Sequence, residues 1–124
     1  MLWQFVLGLG STGGTSLSWI ERADLPPMTH KKALDLAERA ADLILEYAVK
    51  RAKTEDRPLL GTFAPMKVAF SARVVAPLGN NGAKVEAIRG PEEFVLDDVG
   101  IAIRVGRDAV FNALKQLGTV SRSG

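Results

Sequence analysis

Residues 29–53, THKKALDLAERAADLILEYAVKRAK, decide the fold. From His30 to Lys53 the stretch holds neither glycine nor proline and is rich in strong helix formers, with Thr29 placed to cap the first turn. Asp35, Glu38, Arg39, Asp42, Glu46, Lys50 and Lys53 recur at helical spacing and make one polar stripe. Leu34, Leu36, Ala37, Ala40, Ala41, Leu43, Ile44, Tyr47 and Ala48 take up most of the remaining circumference. That is wider than a helix lying on one layer needs, so it should be covered on two sides. The helix should run about 36 Å and cross a domain whose radius of gyration is roughly 14 Å.

Downstream the hydrophobic period changes. Met66, Val68, Phe70, Ala72 and Val74 alternate with Lys67, Ala69, Ser71 and Arg73, the two-residue period of a strand with one apolar face. Asn81-Gly82 reads as a hairpin turn, because both residues readily take positive φ. Ala83 to Arg89 returns as a second strand, Gly90-Pro91 turns the chain again, and Phe94 to Leu96 adds a short edge segment. Ile101 to Val105 reads as a third strand. A short helix from Asp108 to Leu117 follows, with Asp108 as its cap, Val110, Ala113, Leu114 and Leu117 as its apolar stripe, and Gly118 at its end.

Upstream, Leu2 to Leu7 is aromatic and branched enough for a strand. The glycine-rich stretch 8–16 reads as a hinge, 16–24 as a helical turn or an extended arm, and Pro26-Pro27 as its closure. The expected fold class is α+β: a long helix on a three- to four-stranded antiparallel sheet, a short C-terminal helix and an extended N-terminal arm. Its expected divisions are residues 1–28 as strand or arm with a glycine-rich hinge, 29–118 as a single domain and 119–124 as a polar tail. No internal repeat is visible in the residues.

Composition narrows the function classes. The 124 residues include no cysteine and one histidine, His30, which removes disulfides, zinc-thiolate sites and most imidazole chemistry. Sixteen basic against fourteen acidic residues, a formal charge of +2, is too even to mark a polyanion ligand. There is no apolar run of membrane length, and the opening residues lack the basic flank of a secretion signal, so a soluble, cytoplasmic protein is expected.

Gly8-Leu-Gly10-Ser-Thr-Gly13 satisfies G-x-G-x-x-G after a strand, a pattern that can cradle a diphosphate. A dinucleotide unit needs a helix and a parallel strand soon afterwards, which Pro26-Pro27 interrupts. The phosphate-loop pattern fails as well, because Gly14 stands where its lysine should be. Glu55-Asp56, Glu92-Glu93 and Asp97-Asp98 are neighbours in sequence and read as solvated turn residues, with a cation held between Glu93 and Asp97 or Asp98 as the alternative. His30, Lys31 and Lys32 oppose the helix dipole at its start. Lys31, Lys32, Lys50, Arg51 and Lys53 are the candidate contacts for phosphate or nucleic acid, although Asp35, Asp42 and Glu46 are interleaved with the basic residues of the helix.

Trp3, Phe5, Trp19 and Ile20 are the candidate interface residues, since large apolar groups on an arm gain most from a partner's pocket. The expected function is a non-catalytic assembly subunit of a homo-oligomer clasped by that arm, a virus or phage particle component by analogy of architecture. Copies of itself and other assembly proteins are the expected partners, with no membrane, cofactor, metal or catalytic residue. A nucleic-acid-binding module is the alternative, and a small-ligand domain or carboxylate enzyme using a pocket between helix and sheet is the second.

Overall fold

The structure, a computed structural model, describes residues 1–11, 16–55, 66–79, 82–96 and 99–117. Its elements run β1 (Leu2–Ser11), β2 (Ser16–Asp24), α1 (His30–Glu55), β3 (Met66–Leu78), β4 (Ala83–Leu96) and α2 (Val99–Gln116). The arrangement is α+β. The four strands form one antiparallel sheet in the order β2-β1-β3-β4.

The chain therefore makes the same supersecondary unit twice, an antiparallel hairpin followed by a helix. Exchanging β1 with β3 and β2 with β4 leaves the sheet order unchanged apart from direction. Pairing β1 with β3 joins the two halves over one core, in which α1 packs on β3 and β4 and α2 on β1 and β2. The repeat is topological, with no matching sequence pattern behind it.

α1 forms as its composition dictates. The Lys32 N–H donates to Thr29 Oγ1 at 3.2 Å and the Ala33 N–H to the Thr29 carbonyl at 2.9 Å, so Thr29 caps the helix. Ala33, Ala37, Ala40, Ala41, Ala48 and Ala52 are all buried, and their small side chains let the helix lie close to its neighbours. It packs on β3 and β4 on one side and on α2 on another, the double cover its wide apolar face implies.

Both helices lie on the same face of the sheet. Trp3, Phe5, Leu7 and Leu9 of β1 meet Val68, Phe70, Ala72, Val74 and Ala76 of β3 and Val85 and Ala87 of β4 in that core. The alternation that identifies β3 as a strand places its buried residues correctly, and Gly82, at φ 80°, serves the hairpin as its sequence suggests.

Three expectations are sharpened or corrected. Of the strand and arm readings of residues 1–28, the described residues take the first: β1 is an inner strand, with pairing that runs from Gln4 opposite Val75 to Ser11 opposite Val68, and Trp3 and Phe5 are wholly buried, stacked at 6.0 Å. The Leu25 N–H donates to the Met1 carbonyl at 2.9 Å, which ties the start of β1 to the end of β2. Gly8 and Gly10 lie within β1 rather than in a hinge.

The second correction concerns 101–105, which lies inside α2, so that helix begins well before Asp108 and Asp108 is not its cap. Val105, Ala109, Val110, Ala113 and Leu114 supply its buried stripe. Third, Gly90-Pro91 does not end the strand. β4 continues to Leu96, and the irregularity shows as a shift in register between Phe70 and Ala72 of β3. Residues 12–15, Asp56, Asp97, Asp98, Gly118 and the 119–124 tail, on which other expectations fall, lie outside the described residues.

Candidate interaction surfaces

The sheet presents three surfaces that its helices do not cover: its outer face, its β2 edge and a groove beside β4. Strand alternation sorts the outer face. Leu2, Gln4, Val6, Gly8 and Gly10 of β1 stand beside Asp24, Arg22, Ile20, Ser18 and Ser16 of β2. On the other side of β1 come Val75, Arg73, Ser71 and Ala69 of β3, then Glu86, Ile88 and Glu93 of β4. Leu2, Ile20, Ile88 and Val95 are each about half exposed. Arg73 crosses between strands to Glu86, its Nε donating at 2.6 Å, and sets a charged pair among these apolar side chains.

The candidate interface residues thus part company. Trp3 and Phe5 belong to the core. Trp19 is half-buried on the inner face, opposite Leu7, with its indole against Gly106 of α2. Ile20 is 45% exposed on the outer face and alone among the four is open to a partner.

The groove lies between the C-terminal half of α1 and β4. It is open, about 420 Å³ in volume, and its described lining is Leu45, Val49, Glu46, Lys50, Lys53 and Glu92. The floor is apolar, and two ammonium groups and two carboxylates around it cancel formally. Lys50 and Lys53, two of the proposed phosphate contacts, are therefore matched by acids rather than massed. Arg51 is engaged with Tyr47, donating to its hydroxyl at 2.7 Å with the guanidinium 5.6 Å from the ring centroid. Lys31 and Lys32 are exposed at the other end of α1, roughly 28 Å away along the axis, so the five residues make no single basic surface.

One constellation escapes a reading of neighbouring residues. Arg89 of β4 reaches α1, where Nε donates to Asp42 Oδ1 at 2.6 Å and an Nη to Glu38 Oε2 at 3.2 Å. Its hydrogen bonds to Asp42 and then Glu38 raise the Arg89 guanidinium above its ordinary value, outweighing the opposing effect of burial. The signal in the sequence is the four-residue spacing of Glu38 and Asp42, which puts two acids on one helix face one turn apart. The clamp joins helix to edge strand. Among the described residues no cluster of three or more metal-ligating side chains occurs.

The fold and its surfaces define a two-layer arrangement in which, among the described residues, both helices cover one face of the sheet and none covers the other. No family model, no curated protein and no solved structure matches the chain. Among the described residues no helix is long and apolar enough to cross a membrane.

Proposed function

We propose that the chain is a self-associating structural unit, a subunit of a homo-oligomer joined through the parts of the sheet, face or edge, that its own helices do not cover. One observation carries this reading. α1 and α2 share the inner face, while Leu2, Ile20, Ile88 and Val95 stand between 45% and 56% exposed on the outer one. Large apolar groups exposed on one face, with the Arg73–Glu86 pair set among them, favour a protein partner, since covering them returns about 25 cal/mol per Å².

The reading no longer depends on an arm. It assigns no residue a catalytic role and makes further copies of the chain the first partner. A particle subunit, of the kind that builds a virion or phage head, is one assembly of this type, with the cytoplasm as the place of assembly.

Mass measured by light scattering across a wide concentration range tests it. The chain weighs 13.3 kDa, and a mass that rises with concentration to a defined multiple supports assembly. The monomer mass at every concentration, up to the millimolar range, removes it.

A further inference from the structure

The two sheet edges, β2 and β4, are equivalent by topology and opposite in character. β4 is defended: Gly90 at φ 96° and Pro91 break its regularity, Arg89 is paired with Asp42 and Glu38 of α1, and Lys84, Glu86, Glu92 and Glu93 line it with charge. Bulges, prolines and charges of this kind stop edge strands from pairing. β2 has neither proline nor lysine and no bulge. It pairs with β1 in unbroken register from Ser16 to Asp24, and nearly all its side chains are exposed.

We infer that β2 is the joining edge, and that two copies pair antiparallel through it about a two-fold axis at Ile20, making one continuous sheet twice as wide. The inference rests on the assembly reading above and names its surface. The register follows from the residues. Ile20 is the midpoint of Ser16–Asp24, so centring there uses the whole strand.

Ile20 then faces the partner's Ile20, Ser18 the partner's Arg22, and Trp19 the partner's Glu21. No like charges stand opposite each other, whereas centring on Glu21 or Arg22 sets two equal charges face to face. Asp24 is already held by the Met1 ammonium at 2.6 Å. Because Val6 lies beside Ile20, the axis carries an outer-face row of four branched side chains: Val6, Ile20, the partner's Ile20 and the partner's Val6. Pairing about a residue of β2 with both helix layers on one side keeps outer residues opposite outer ones.

The absence of cysteine from the chain makes the test clean. Across an antiparallel pair the Cα atoms are about 4.5–5.5 Å apart, within reach of a disulfide. Ile20→Cys under mild oxidation should give a covalent dimer, and Ile88→Cys, more exposed still on the other edge strand, should not. Ile20→Lys should raise the dimer dissociation constant tenfold or more with unchanged circular dichroism.

A dimer by mass that crosslinks through Ile88→Cys and not Ile20→Cys overturns the edge and leaves the assembly reading standing. A chain that is monomeric by mass and crosslinks at neither position overturns both. An Ile20→Lys variant that dimerises as tightly as the parent overturns the edge on its own.

Discussion

The indole of Trp19 occupies the space that a side chain at position 106 would need: a Cβ added to Gly106 would stand 2.5 Å from Trp19 Cζ3 and 2.6 Å from Cε3. β2 is thereby fastened to α2 through a close approach of ring to helix backbone, in addition to its ladder with β1. Gly106 has a steric reason to be glycine.

Alanine normally stabilises a helix interior relative to glycine by about 1 kcal/mol. Gly106→Ala should do the reverse and destabilise the chain by about 1–3 kcal/mol, the usual cost of overpacking a filled site. In a Trp19→Leu background the same change should be neutral or stabilising. Urea unfolding of the four proteins in this cycle measures the coupling, and equal effects of Gly106→Ala in both backgrounds would show that ring and glycine do not share the site.

The same contact explains why α2 is hard to read locally. Gly100 and Gly106 argue against a helix by propensity, and Ile101 to Val105 alternates as a strand does. What overrides both is packing against distant parts of the chain: Val105, Ala109, Val110, Ala113 and Leu114 join the core, and Gly106 lies against Trp19. β1 is legible only as far as Leu7 for a related reason: Trp3, Phe5, Leu7 and Leu9 alternate well, but Gly8 and Gly10, on either side of Leu9, read as a hinge. Only the pairing with β3 shows them as strand positions. α1, its Thr29 cap and the β3 alternation were legible because their causes lie within a few residues. The Arg89 clamp and the β2 edge depend on which strands become neighbours.

Gly90 is confined by backbone rather than by a ring. At φ 96° a Cβ there would lie 2.7 Å from the Phe70 carbonyl oxygen and 3.2 Å from Ser71 Cα, neither of which can swing aside. Adding the conformational cost of positive φ, about 1–2 kcal/mol, to the clash predicts that Gly90→Ala loses 2 kcal/mol or more, roughly. A urea midpoint within error of the parent's would mean that β4 does not bend at Gly90.

Gly10 is the contrasting case. It lies on the outer face between Ser16 and Ala69, without a positive φ, and an added Cβ meets nothing within 4 Å. Gly10→Val should stabilise by about 0.5–1 kcal/mol, through lower unfolded-state entropy and better strand propensity. The thermal midpoint reads this directly, and a loss of stability would indicate that the glycine serves something other than a strand.

The Arg89 clamp should contribute little, and in a recognisable way. Its side chain is 32% exposed, and those of Glu38 and Asp42 are 44% and 51%, so water screens most of the attraction. Arg89→Met keeps the aliphatic stem and should cost about 0.5–1 kcal/mol at low ionic strength, shrinking toward zero near ~1 M salt. Its pH dependence follows from direction alone. A guanidinium raised above its ordinary value contributes fully at every pH below that value and is lost only as pH climbs through the higher, folded one. Between about pH 6 and 9 the cost of Arg89→Met should therefore be flat, whereas salt should scale it. A cost that persists in high salt would instead assign Arg89 a packing role against α1.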